Sequence, residues 1–163
     1  ISKNYSGIDP KFLFLTTGYN VRNTELNAVL GLEQLSQLNS YILKRRNNFD
    51  TFKTIIDNFK DMFMFPNGIG NSSFALPFMC KGVEKNELEN YLQNRGVETR
   101  PFLAGNMVRQ PFLSHLREKP EDYPNAEFLH NHCFYIGNNQ HIGLKQLNWL
   151  NGVLHEFFDM HNS

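Results

Sequence analysis

The 163-residue chain has little cysteine, no charge imbalance and no long apolar run, and each lack excludes something. Sixteen Lys and Arg balance sixteen Asp and Glu. No overall field therefore draws the chain to nucleic acid or to an anionic lipid surface, and neither is expected as a partner. The two cysteines, Cys80 and Cys133, stand in apolar surroundings, Phe-Met-Cys and Cys-Phe-Tyr. The expectation is two buried thiols in a reducing cytoplasmic setting rather than a disulfide. No apolar stretch approaches the roughly 20 residues that span a bilayer. There is no glycine-rich phosphate cradle, no zinc spacing of Cys and His, and no nucleophile elbow. His130 and His132 stand two apart, which on a helix points them to different faces, and the other histidines are scattered. No metal site is expected. No general acid–base pair stands out, so the chain read by itself lacks a catalytic centre. It opens Ile1-Ser2-Lys3-Asn4, without a Met or a charged-then-apolar leader, which fits a piece cut from something longer.

What is present reads as globular. Apolar residues make up 40 %, many of them Phe, which is enough for one domain with a core and far from the composition of disorder. Residues 1–23 offer only Phe12-Leu13-Phe14-Leu15 before a Thr-Thr-Gly-Tyr-Asn loop, and read as a segment that docks elsewhere. A long helix is expected next, capped by Asn23 or Thr24, with Glu25 in its first turn. Leu26, Leu30, Leu35, Leu38 and Ile42 form its stripe, continued by Phe49, Phe52, Ile55, Ile56 and Phe59. A pattern this long predicts a break, placed near Asn39-Ser40, and Pro66-Asn67-Gly68 ends it. The run 73–80 reads as a strand, and Pro77 within it argues for a sheet edge. Helices are predicted over 84–95 (stopped by Gly96), over 125–132 and over 144–160, with one or two turns at 111–118. Strands are predicted at 97–102 and 133–136. Three short strands alternating with helices make a small α/β or α+β layer structure.

Two segments are dense in polar groups. In Gly18-Tyr19-Asn20-Val21-Arg22-Asn23-Thr24-Glu25 a loop runs into a helix start, where free backbone donors and the dipole favour an anion such as a phosphate. Asn20 adds an amide and Arg22 a guanidinium; the alternative is a plain cap with a solvated Arg. In Thr99-Arg100-Pro101-Phe102-Leu103-Ala104-Gly105-Asn106-Met107-Val108-Arg109-Gln110-Pro111, prolines bracket two Arg, an Asn and a Gln. A stiff loop positions donors at low entropic cost. Arg100 and Arg109 could clamp a diphosphate while Asn106 and Gln110 read sugar hydroxyls. The alternative is a surface loop whose Arg residues pair with Glu98 or Glu118.

The stretch from Gly18 to Leu35 resembles the "GYN-x-R-x-TE-L-x-A-x-x-G-x-x-QL" pattern of the sugar-nucleotide aminotransferases of the DegT/StrS type. Gly-Val-Glu-Thr-Arg-Pro-Phe before Ala-Gly-Asn-Met-Val-Arg-Gln-Pro is similar to the branch holding the 3-dehydrases of CDP- or GDP-linked 4-keto-6-deoxysugars. Pro124-Asn125-Ala126-Glu127 and Phe134-Tyr135-Ile136-Gly137-Asn138 match that branch further along.

The resemblance implies the small C-terminal domain of a fold-type-I pyridoxal-phosphate enzyme: a short, mainly antiparallel sheet packed with helices, preceded by a long helix. Residues 1–23 would be the inter-domain and dimer-interface segment, and 24–163 the small domain. Asn20, with Arg22 close by, would reach the cofactor phosphate held by the other subunit of a homodimer. Tyr19, Arg100, Asn106, Arg109 and Gln110 would face the nucleotide-sugar. The family's ring-nitrogen carboxylate and its Schiff-base Lys (His in the dehydrases) belong upstream of Gly18. Catalytic residues are thus not expected here, and pyridoxal phosphate is expected in a full-length parent rather than on this chain alone. Within the family, amino transfer is favoured slightly over dehydration because aminotransferases are its larger part, while the Ala-Gly-Asn-Met-x-Arg-Gln-Pro motif pulls the other way. The reaction type stays open, as do cell-surface lipopolysaccharide and a glycosylated metabolite as destinations. A reading from another class is a free-standing binding or interaction domain that kept the fold and lost the chemistry.

Overall fold

The computed structural model of the chain describes residues 5, 7–18, 24–66, 71–103 and 105–161. They fall into two compact units, one drawn from 1–18, 61–64 and 77–136, the other from 19–60, 65–76 and 137–163.

The first unit holds nearly all of a four-stranded sheet. Its strands are β1 (Phe63–Met64), β2 (Ala75–Cys80), β3 (Thr99–Pro101) and β4 (Cys133–Gly137), in the order β1-β2-β4-β3. β1 runs antiparallel to β2, with Phe63 opposite Cys80, and β3 antiparallel to β4, with Arg100 opposite Tyr135. Phe78 stacks on Phe134 at 4.8 Å between ring centroids, and Phe63 meets Phe78 edge-on at 5.5 Å. Each such buried side chain contributes about 1.5–3 kcal/mol through loss of its hydration shell.

Helix α3 (Lys85–Asn94) buries Leu88 and Leu92, one turn apart on one face. It stops where Gly96 takes φ +83°. The Gly96 N–H donates to the Gln93 carbonyl at 2.9 Å and the Val97 N–H to that of Leu92 at 3.0 Å. Helix α4 (Pro124–His132) begins on a proline, whose fixed φ suits the first helical position. Short 3-10 turns at Met107–Arg109, Pro111–Leu116 and Pro120–Asp122 carry the chain between β3 and α4.

The second unit contains α1 (Glu25–Leu35), α2 (Leu38–Asp57) and α5 (Leu144–His161). α2 packs on α5. Phe49, Phe52, Ile55 and Ile56 are buried on the one, and Leu147, Leu150, Val153, Leu154, Phe157 and Phe158 on the other. Two buried amides tie in the loops. Asn48 Nδ2 donates to Asn138 Oδ1 at 3.0 Å and to the Ile142 carbonyl at 3.1 Å. Asn138 Nδ2 donates to the carbonyls of Arg45 and Ser73. Asn138, in the sequence a family-matching position, thus satisfies carbonyls that burial would otherwise leave unpaired.

The mixed α/β architecture, the closing helix and the buried thiols agree with the sequence reading; four expectations are corrected. The long helix breaks at 36–37 rather than at Asn39-Ser40, because Ser36 Oγ donates to the Glu33 carbonyl and so satisfies the last turn of α1. The front of the apolar stripe is not core, for α1 has no buried residue. A fourth strand, β1, is only two residues long and was too short for a periodic signal. Finally, β2 is not an edge, since it lies between β1 and β4. Pro77 is accommodated because β1 pairs only Met79 and Cys80, and its ladder ends before the residue without an N–H.

Candidate functional site

The first unit gathers the second polar segment against α4. Gly105 adopts φ +64°, and a β-carbon there would collide with His130 Nδ1, so the loop turns here only with glycine. The next residue, Asn106, is 1 % exposed. Its Oδ1 accepts from the Val108 N–H at 3.2 Å, and its Nδ2 donates to Glu127 Oε2 at 2.8 Å and to the Pro120 carbonyl at 3.3 Å. Gln110, equally buried, bridges backbone far away in sequence. Its Nε2 donates to the Phe12 carbonyl at 2.9 Å, and its Oε1 accepts from the Phe14 N–H at 3.0 Å. The amide thereby acts like a strand neighbour to residues 12–14.

Arg109 meets Glu127 side-on. Its Nε lies 3.0 Å from both carboxylate oxygens, and its Nη2 donates to Oε1. Asn131 Nδ2 also donates to Oε1, at 3.0 Å. The Arg109 guanidinium holds the Glu127 carboxyl down at about 2, helped by the Asn106 and Asn131 amides and opposed by burial. In return the carboxylate raises the Arg109 pKa. Arg100 is different: it pairs with Glu98 on the surface, with Nη2 to Oε1 at 2.7 Å, and its side chain is 55 % exposed.

His130 links three segments. Its Nδ1 accepts from the Asn106 N–H at 3.3 Å, so the proton sits on Nε2, which donates to the Gly7 carbonyl at 2.8 Å. Burial is the main cause that lowers its pKa below the ordinary value, and the Gly7 carbonyl opposes it. Lys85 Nζ donates to the His130 carbonyl at 3.1 Å. Beside these groups a cleft of about 400 Å³ opens along Gly7, Lys85 and Pro101. Among the described residues, no three His, Cys, Asp or Glu stand together to hold a metal ion, and no helix is long and apolar enough to cross a membrane.

Of the residues singled out from the sequence, Asn106, Arg109 and Gln110 come together on one loop. Arg100 stands on β3 in its own ion pair, as the surface alternative supposed for it. Tyr19, Asn20 and Arg22 lie outside the described residues. Sequence reasoning gives no site role to Glu127, which it places only within a matching motif, or to His130, which it considers only as a metal ligand. The contacts that give them their place are distant in sequence: Arg109 and Asn106 are 18 and 21 residues from Glu127, and Gly7 is 123 residues from His130.

Known proteins bear on this arrangement. The model of the DegT/DnrJ/EryC1/StrS aminotransferase family matches residues 3–150. GDP-4-keto-6-deoxy-D-mannose 3-dehydratase of Escherichia coli O55:H7 is 32 % identical over 93 % of this chain and 40 % of its own length. Lipopolysaccharide biosynthesis protein RfbH of Salmonella typhimurium is 27 % identical over 94 % of this chain and 37 % of its own. A solved structure of the E. coli dehydratase with bound hydrated PLP superposes with a TM-score of 0.68 at 30 % identity, covering 88 % of this chain and 38 % of that one. The Psychrobacter cryohalolentis aminotransferase, 16 % identical over 91 % of this chain and 42 % of its own, shares the fold with a TM-score of 0.73. The chain spans about two-fifths of the length of the curated relatives it matches. With nine-tenths of its length matched, it belongs to the DegT/DnrJ/EryC1/StrS aminotransferase family.

Proposed function

We propose that the chain is the C-terminal part of a cytoplasmic, homodimeric, pyridoxal-phosphate-dependent enzyme that acts on a nucleotide-linked 4-keto-6-deoxysugar. The observation that carries this reading is the match of almost the whole chain to two-fifths of a 3-dehydratase. The largely exposed apolar residues of α1 support the fragment part of it, since an apolar face of this kind marks a surface that something else covers. That the 32 % identical relative is a dehydratase favours dehydration over amino transfer.

Bound pyridoxal phosphate supplies an electron sink for breaking a bond on the adjoining substrate carbon. The donor chemistry of this chain fits the phosphate end of that group. Asn20 and Arg22 precede α1 in sequence, and the start of α1 is capped by Thr24 Oγ1, which accepts from the Asn27 N–H at 3.4 Å. Anions are favoured at such a helix start. On this reading the residues that hold the ring belong upstream of Gly18, and the part of this chain is to bind and enclose. Arg100 and Arg109, the two cations of the 99–111 loop, take the anionic part of the nucleotide-sugar. Tyr19 is assigned to the substrate from its place in the sequence motif alone. Asn106 and Gln110 give the loop its shape through their internal hydrogen bonds, and any hydroxyl contact they make is through the same loop surface.

The test is incubation of the intact protein with pyridoxal phosphate, glutamate and a GDP- or CDP-linked 4-keto-6-deoxysugar, followed by mass spectrometry of the sugar. A product short of the 3-hydroxyl means dehydration, and a product with an added amine means amino transfer. No change in the sugar, with the cofactor bound, sinks the enzymatic reading in favour of a binding domain. Asn20→Ala is expected to weaken cofactor retention on dialysis, and normal retention would remove the phosphate role from Asn20.

A further inference from the structure

We infer that Glu127 is a positioning residue that fixes the Arg109 guanidinium with one edge turned outward for an anionic group of the substrate, an inference that rests on the proposed reading of Arg109. The geometry is asymmetric. Arg109 spends Nε and Nη2 on Glu127, whereas Nη1 has no partner among the described residues and the side chain stays 33 % exposed. A guanidinium carries five N–H donors in a planar fork, so one edge can be fixed while another remains for a second oxyanion.

Glu127 is well held for this task. Its side chain is 19 % exposed and accepts from three residues at once: Arg109, Asn106 Nδ2 and Asn131 Nδ2. Asn106 is in turn pinned to the Pro120 carbonyl and caps the 3-10 turn that bears Arg109. The carboxylate therefore sits in a frame drawn from the loop and from α4, and Arg109 is aligned by that frame rather than by its own flexible stem. A fixed donor loses less freedom when ligand binds, and a lost constraint shows in substrate affinity. A bare surface ion pair would have none of these extra partners and would be worth little.

The experiment compares Arg109→Lys, Glu127→Gln, Glu127→Asp and the Arg109→Lys/Glu127→Gln double variant in the intact, cofactor-loaded protein. Steady-state KM and kcat for the nucleotide-sugar are read beside thermal midpoints. A rise in KM of roughly tenfold for each single variant is expected, with kcat within about twofold, and the double variant no worse than Arg109→Lys alone. Glu127→Asp keeps the charge but draws the carboxylate back by one methylene, so it reports on geometry even where Glu127→Gln folds poorly. If Arg109→Lys leaves KM unchanged, the reading of Arg109 itself fails. If Arg109→Lys raises KM while both Glu127 variants leave it alone, that reading stands and the positioning role is overturned. A fall in kcat and thermal midpoint together, with KM constant, would reduce the pair to a structural tie and overturn it as well.

Discussion

Helices α1 and α5 carry the same kind of sequence in opposite surroundings. Both repeat apolar residues at helical spacing. α5 buries six of them, while Leu26, Val29, Leu30, Leu32 and Leu35 of α1 are 60–76 % exposed. Periodicity therefore reports that a face will be covered, but not by what. An 11-residue helix is marginal in water without a packed face, and a patch of this kind marks an interaction surface. α5 serves the chain's own stability, and under the proposed function α1 would contact the rest of the enzyme.

The largest effect should come from breaking the covered side. Phe52 and Phe157, both at 1 % exposure or less, lie in the two buried faces of α2 and α5. Phe52→Ala or Phe157→Ala is expected to cost about 3–5 kcal/mol, from lost transfer energy and the cavity left behind. Denaturant titration checks it, and a loss below about 1 kcal/mol would mean that this face is not a core.

Two glycines sharpen the difference between backbone strain and crowding. Gly96 (φ +83°) has open space where a β-carbon would go, while Gly105 (φ +64°) would drive one into His130. Gly96→Ala should cost about 1 kcal/mol, the left-handed penalty alone. Gly105→Ala should cost about 2–3 kcal/mol, because the displaced ring also gives up its bonds to Gly7 and Asn106. Equal costs would show that the loop yields and that the His130 clasp is weak.

The Glu127 site predicts a pH dependence of known sign. Its carboxyl titrates at about 2 in the folded chain against an ordinary 4.5, so the folded state binds fewer protons than the unfolded one across that window. The stabilisation is complete above about pH 4.5 and drains away as the pH falls toward 2. For a pair partly open to solvent the effect is about 1 kcal/mol. Glu127→Gln should be less stable than the parent at neutral pH and converge on it near pH 2. His130, lowered by burial, adds a smaller loss of the same sign that begins as the pH drops through its ordinary 6.5.

Much of the fold was legible because its signals are local. Gly96 stops α3, Pro124 opens α4, and the Leu88 and Leu92 spacing fixes the buried face. The candidate site was legible only as a stretch of loop. Arg109 and Gln110 stood out by their chemistry, but the roles they take here depend on Glu127, Phe12 and Phe14, at separations of 18, 98 and 96 residues. A sequence pattern cannot see such pairings, since nothing in 3.6- or 2-residue periodicity links them. Pro77 misled for a related reason. The rule that proline keeps to sheet edges assumes a full-length neighbour, and β1 is two residues long.

The smallest effect expected in this chain alone bears most directly on the proposed enzyme. Leu26→Ser and Leu30→Ser remove apolar groups that the chain itself leaves 76 % and 67 % exposed. In this chain alone each should change unfolding free energy by no more than about 0.5 kcal/mol, as for surface sites away from any packing. In the intact protein the same substitutions should cost about 2–5 kcal/mol, because there the leucines would be covered and their loss would leave cavities. The pair of measurements separates two causes of an exposed apolar helix. A small effect in both proteins would mean that α1 carries its apolar face uncovered and that the free-standing binding domain is the better reading. A large effect confined to the intact protein would place the cover of α1 outside this chain, as the proposed enzyme requires.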